Sequence, residues 1–155
     1  LNVPEAETGE FLDIMLYRRA LAAGMPVRGL ESMAEQTAVL DGLSGADQIA
    51  LLRETLRTQA QLPEMFDALT EAYHRRDLRL LLDLNDSYLR QADPEVVARL
   101  ETALIHDRNA RMEERVLPML AEGGHFIAVG ALHLPGEGGL LERLRRRGLA
   151  IDCVY

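Results

Sequence analysis

One stretch does most to limit what this chain can fold into. Residues 125–134, HFIAVGALHL, form an apolar run; the turn residues PGEGG follow, and then LLERLRRRG, an amphipathic helix closed by Gly148. LAIDCVY comes next and alternates Ile151, Cys153 and Tyr155 against Ala150, Asp152 and Val154. Strand, helix and strand in that order imply a parallel pair joined by a right-handed crossover. PVRGLES, ending near Glu31, reads as a further short strand. The expected fold class is α/β, helix-rich, with a small mixed or parallel sheet of about three strands.

The rest reads as helix. Acidic residues open the chain, and Phe11, Leu12, Ile14, Met15, Leu16 and Ala22 then recur at helical spacing, stopped by Gly24 and Pro26. MAEQTAVLDGL is a short helix, and Ser44 with Asp47 forms a capping box for the next one. Pro63 should break or kink that helix and suits the first turn of its successor, PEMFDALTEAYHRRD. LRLLLDLNDSYLR is also read as helical. Asp93 is a good N-cap, with Pro94 and Glu95 favouring the start of a long helix to about Ala121, ended by Gly123 and Gly124.

With 155 residues, 48% of them hydrophobic, the chain suits one domain with a real core, although aromatics are only 5% and Trp is absent. A formal charge of −8 argues against a nucleic-acid surface. No apolar run reaches the roughly 18 residues of a membrane span. Cys153, the single cysteine, can form no internal disulfide and reads as a small core residue of a strand. GLSGA lacks the last glycine of GxSxG, HExxH is absent, and a chain whose 17 basic residues are all Arg cannot complete a phosphate-binding GxxxxGK[ST]. RLRRRG reads as a solvated helix end, where positive charge suits the dipole.

Three residues stand out. His133 falls at or just past the end of the strongest strand, before a glycine-rich approach to a helix N-terminus, where α/β sheets bind ligands. Packed core residue and half of a reactive site are both consistent with that position. His125 lies eight residues earlier, roughly 26 Å away in an extended strand, too far to share a metal ion. Arg108 occupies a slot in the stripe Leu100, Leu104, Met112, Val116 and must either snorkel or meet an anionic group. Glu31, at a strand end, has the chemistry of a base, a metal ligand or an arginine partner, and Gln36 lies close enough in sequence to line the same cleft.

In chain order, GLES with Gln36, RNARMEERVLPML, and FIAVGALHLPGEGGLLERLRRRGLAIDCV resemble the C-terminal half of the TraB/PrgY/GumN family, which includes the TIKI proteases. The resemblance covers nearly the whole chain, and its last motif is the most specific. It sets Gly130-Ala131-Leu132-His133 on the second of the family's two GxxH motifs, Arg108 and Asn109 on its Arg-Asn pair, and Glu31 on its glutamate after Gly-Leu. It implies a partial TraB/GumN-type fold over 1–155 as one domain, without the N-terminal half and its first GxxH.

The function so implied is metal-dependent hydrolysis of a peptide or ester bond, with divalent manganese or cobalt in the intact protein. His133, Arg108 and Glu31 take catalytic roles, His133 and Glu31 serve as metal ligands, and Gly130, Asn109 and Gln36 contribute to binding. This chain alone is expected to be inactive and to hold no metal tightly, because the partner histidine is missing. The resemblance implies an exported or periplasmic location and leaves the substrate, a peptide or small molecule, open. Two other readings stand beside it: a non-catalytic binding or regulatory protein, like the pheromone-shutdown branch, and a module that self-associates through an exposed sheet edge.

Overall fold

A computed structural model of the chain describes residues 11–89 and 92–154. The acidic opening lies outside the described residues. Eight α-helices account for the regular structure: α1 (Leu12–Ala22), α2 (Met33–Asp41), α3 (Gly45–Thr58), α4 (Leu62–His74), α5 (Leu78–Leu89), α6 (Pro94–Glu101), α7 (Asp107–Glu122) and α8 (Leu140–Arg146).

Local chemistry explains most of the helix ends. Ser32 and Glu35 form a reciprocal capping box on α2. On α3 the Ser44 hydroxyl accepts from the Asp47 backbone N–H, as the sequence implies. A 3₁₀ turn at Gln59–Gln61 interrupts the helix just before Pro63, whose missing N–H cannot continue the ladder. Asp93 caps α6 by accepting from the Glu95 backbone N–H at 2.9 Å. Gly123, with a φ of 73°, ends α7.

The expected sheet is not there. No strand forms among the described residues, and no backbone hydrogen bond joins residues 26–31, 125–130 and 149–154, which carry the β signal. A strand exists only through N–H···O=C pairing with a neighbour, and none of the three runs has such a partner among the described residues. The α/β class is thus corrected to an all-helical arrangement, and the sheet edge expected to drive self-association has no counterpart among the described residues. Cys153 is exposed, not a core strand residue.

The long helix expected over 94–121 runs from Pro94 to Glu122, but with a π segment at Thr102–His106 between α6 and α7. A π turn takes up extra residues per turn. It therefore breaks the regular spacing by four, and the buried positions beyond it are Asn109, Met112, Glu113 and Val116. Arg108 sits at the margin of that face. The apolar core is small, with Leu43, Ala72, Leu81, Leu100, Met112, Val116 and Leu140 buried. Asp47, Asn109, Glu113 and His133 are buried beside them.

α7 packs on α8, and α5 packs against a 3₁₀ turn at Ala131–His133. The loop from His133 to α8 is specified by its glycines. Gly136 takes a φ of 82°. A Cβ on Gly138 would strike the His106 ring, and one on Gly139 would strike the carbonyl oxygens of Leu134 and Pro135. Backbone obstructs Gly139, so no side-chain movement relieves it. Gly139→Ala is expected to destabilise the chain by about 2 kcal/mol in urea unfolding. Gly45→Ala, at the open start of α3 with nothing near its would-be Cβ, should be neutral or stabilising by less than about 1 kcal/mol.

Candidate functional site

The site is built on the first two turns of α7. Arg108 Nε donates to Glu31 Oε1 and Oε2 at 3.1 and 3.0 Å, and its Nη2 donates to Oε2 at 2.8 Å. Arg111 Nη2 reaches Glu31 Oε1 at 3.4 Å. The Glu31 side chain is only 1% exposed. One turn further on, Arg115 grips Glu35 with both terminal nitrogens and also donates to the Leu30 carbonyl. Three arginines spaced three and four apart on one helix face thus hold residues 30–35. Arg108 therefore meets a carboxylate rather than only snorkelling.

Burial pushes Glu31 upward, but the hydrogen bonds and charges of Arg108 and Arg111 outweigh it and hold the carboxyl below its ordinary value. The Arg115 guanidinium, with help from the Ser32 backbone and hydroxyl, lowers Glu35 from 4.5 to about 2.

Asn109, the residue after Arg108, serves a second network. It is fully buried. Its Nδ2 donates to the carbonyls of His133 at 3.3 Å and Gly138 at 2.9 Å. Its Oδ1 lies 2.7 Å from His133 Nδ1. His133 is 7% exposed. Burial lowers its pKa, the Arg108 charge lowers it further, and Glu31 acts in the opposite direction. Both charges of the Arg108–Glu31 pair thus act on the imidazole. Its Nε2 makes no hydrogen bond within the described residues.

The sequence-predicted residues divide clearly. Glu31 and Arg108 are in direct contact, Asn109 and His133 are in direct contact, and consecutive positions on α7 join the two pairs. Gln36 is exposed on α2, its backbone N–H bonded to the Ser32 carbonyl. Gly130 accepts from the His133 backbone N–H at 2.9 Å. A Cβ there would lie 3.5 Å from the His133 ring, an ordinary contact. His125 is exposed, 3.9 Å from the Glu122 carboxylate.

Sequence reasoning missed Arg111, Arg115 and Glu35. The signal was present, because acids four apart at 31 and 35 match arginines spaced three and four apart on α7. RLRRRG was also misjudged as wholly solvated. Arg143 Nε and Arg147 Nε each lie 2.6 Å from the carboxylate of Glu113, which is buried on α7.

These donors do not by themselves fit a metal centre. No group of three His, Cys, Asp or Glu side chains with metal-binding geometry occurs among the described residues. The Glu31 oxygens are engaged by two guanidiniums, leaving His133 Nε2 as one available nitrogen donor. No helix in the described residues is long and apolar enough to cross a membrane.

The model of the TraB/PrgY/gumN family matches residues 2–152. Metalloprotease TIKI1 of Homo sapiens is 29% identical over 164 residues, covering 91% of this chain and 32% of its own length. Metalloprotease TIKI1 of Danio rerio is 28% identical over 163 residues, covering 91% and 33%. The Metalloprotease TIKI homolog of Nematostella vectensis is 24% identical over 151 residues, covering 83% and 32%. The chain therefore spans about a third of the length of these relatives. No solved structure matches it.

Glu31→Gln is expected to cost about 2–3 kcal/mol, since it leaves Arg108 and Arg111 without their shared anion in a partly buried setting; chemical denaturation measures it. The pH dependence has one sign throughout. Glu31, Glu35, Asp47 and Glu113 all titrate below their ordinary values when folded. Between the folded and unfolded values the unfolded chain binds more protons, so their stabilisation is whole above about pH 4.5 and is lost as pH falls toward 2. His133, lowered from 6.5, adds a loss of the same sign that begins below pH 6.5. Thermal melts from pH 7 down to 3 should show Tm falling steadily, and a Tm rising on acidification would contradict these pairings.

Proposed function

The chain belongs to the TraB/PrgY/gumN family, and from that premise we propose that it supplies one side of a hydrolase site acting on a peptide or ester bond. Relatives named as metalloproteases support the hydrolase and protease level of this reading. The observation that carries it within the chain is His133. It is a buried imidazole whose Nδ1 is occupied by Asn109 and whose Nε2 has no hydrogen-bond partner among the described residues. Burial and the Arg108 charge keep it neutral near pH 7, so its Nε2 lone pair is available to take a proton or to serve as a ligand.

In this reading Arg108, fixed by Glu31, sets the charge beside the imidazole and steadies negative charge that develops on the substrate. Glu31 acts through Arg108, because its oxygens are already taken. The names of the relatives suggest a divalent metal. Manganese or cobalt in the whole protein is part of the proposal, with His133 as one ligand. An exported or periplasmic location and a peptide substrate likewise belong to the proposal.

A specific observation favours a second reading, a non-catalytic binding protein. Leu12, Tyr17 and Leu21 on α1, and Ile49, Leu52 and Leu56 on α3, are each 50% exposed or more, and large apolar patches mark interaction surfaces. One experiment separates the two. In protein expressed from its complete reading frame, with manganese or cobalt supplied, His133→Gln should reduce hydrolysis of a peptide library by roughly 10²–10⁴-fold without loss of fold. Hydrolysis unchanged in His133→Gln would exclude His133 as the reactive group. No hydrolysis by the wild type, together with partner binding that Leu52→Ser abolishes, would favour the second reading.

A further inference from the structure

We propose that Asn109 is a positioning residue that sets the tautomer of His133 and, with the same amide, closes the glycine loop over α7. This rests on reading His133 as the reactive group. The side chain of Asn109 has no exposed surface, so it cannot touch a substrate, and its role must be exerted through its neighbours.

The orientation of the amide follows from its partners. The two carbonyl oxygens, of His133 and Gly138, accept only, so the group donating to them at 3.3 and 2.9 Å is Nδ2. Oδ1 is thereby left facing His133 Nδ1 at 2.7 Å. An amide oxygen accepts only, so Nδ1 must carry the hydrogen. In a neutral imidazole, Nε2 then carries the lone pair. The tautomer is a consequence of two carbonyls on the far side of the amide.

Loop closure depends on the same group. The loop is tied within itself, by Gly139 N–H to the Gly136 carbonyl at 3.1 Å and Leu141 N–H to the Leu134 carbonyl at 3.3 Å. Gly138 is held from below by Asn109 and packs so closely on His106 that no Cβ would fit. His106 ends the π segment, and Arg108 and Asn109 lie two and three residues beyond it. Successive residues on a helix point about 100° apart, so one of this pair addresses Glu31 and the other the loop. A neutral amide at this point orients the imidazole without adding a negative charge to the one Glu31 already supplies.

The test reads the imidazole directly, by long-range ¹H–¹⁵N correlation of His133 at neutral pH in the 155-residue chain. Wild type should show a protonated Nδ1 and an unprotonated Nε2. Asn109→Ala should lose that preference and populate the Nε2–H form. Asn109→Asp, which keeps an acceptor for Nδ1 but lacks the Nδ2 donor, should restore the Nδ1–H form while remaining less stable than wild type. A wild type found as Nε2–H, or a folded Asn109→Ala with the wild-type tautomer, would overturn the proposal. The second result is what a purely structural Asn109 would give. If Asn109→Ala does not fold, an Nε2–H form in either wild type or Asn109→Asp would still overturn the proposal. In the hydrolase, Asn109→Ala should lower kcat by roughly 10–100-fold with KM little changed, and Asn109→Asp should recover part of it. Because the tautomer is read without turnover, failure of the hydrolase reading and failure of this one are distinguishable.

Discussion

Guanidinium–carboxylate pairing is the interaction on which the rest of this structure depends. Among the described residues only seven apolar side chains are buried, few to set the packing of eight α-helices. Four carboxylates take over that task, each held by arginine from a distant part of the chain or from a neighbouring helix: Glu31 by Arg108 and Arg111, Glu35 by Arg115, Asp47 by Arg99 and Glu113 by Arg143 and Arg147. Pairs of this kind contribute little net stability, because desolvation offsets most of the attraction. Their leverage lies in the penalty for being mismatched. A buried carboxylate that misses its arginine is far more costly than a leucine that misses a contact, so the pairs select one register for α7 against residues 30–35 and for α8 against α7.

What was legible in the sequence was local. The Ser44 and Asp93 caps, the break before Pro63 and the stop at Gly123 each depend on residues within one turn of each other, and each appears where its chemistry puts it. The sheet failed because pairing is not local. HFIAVGALHL has the composition of a strand, but composition supplies only the propensity, and the described chain brings no other extended run alongside it. The π segment was invisible for a different reason: a regular spacing by four fits Leu100 to Val116 so well that nothing in the pattern reports extra residues in one turn.

The candidate site was legible in part for the same physical reasons. Arg108 stood out because a charge within an apolar stripe needs a partner, and Glu31 is that partner. Its second arginine, and the neighbouring Arg115–Glu35 pair, required matching two spacings across about eighty positions. That step becomes natural only once α7 is known to lie along residues 30–35. His133 illustrates the limit most clearly. It was singled out as the end of a strand, and that element is absent. It is buried because Asn109 and the 3₁₀ turn hold it, not because a sheet delivers it.

Both halves of the site are held in their deprotonated forms, for connected reasons. Glu31 is held below its ordinary value because two guanidiniums outweigh its burial, whereas His133 is lowered because burial and the Arg108 charge act together against Glu31. A single arginine thus stabilises the charge on one group and opposes it on the other. Both effects follow from where α7 places one side chain. Moving Arg108 by a single residue along the helix would put the guanidinium where Asn109 now stands, against the loop carbonyls and the imidazole. The step of about 100° between successive residues of α7 is what turns one of the two positions to Glu31 and the other to His133.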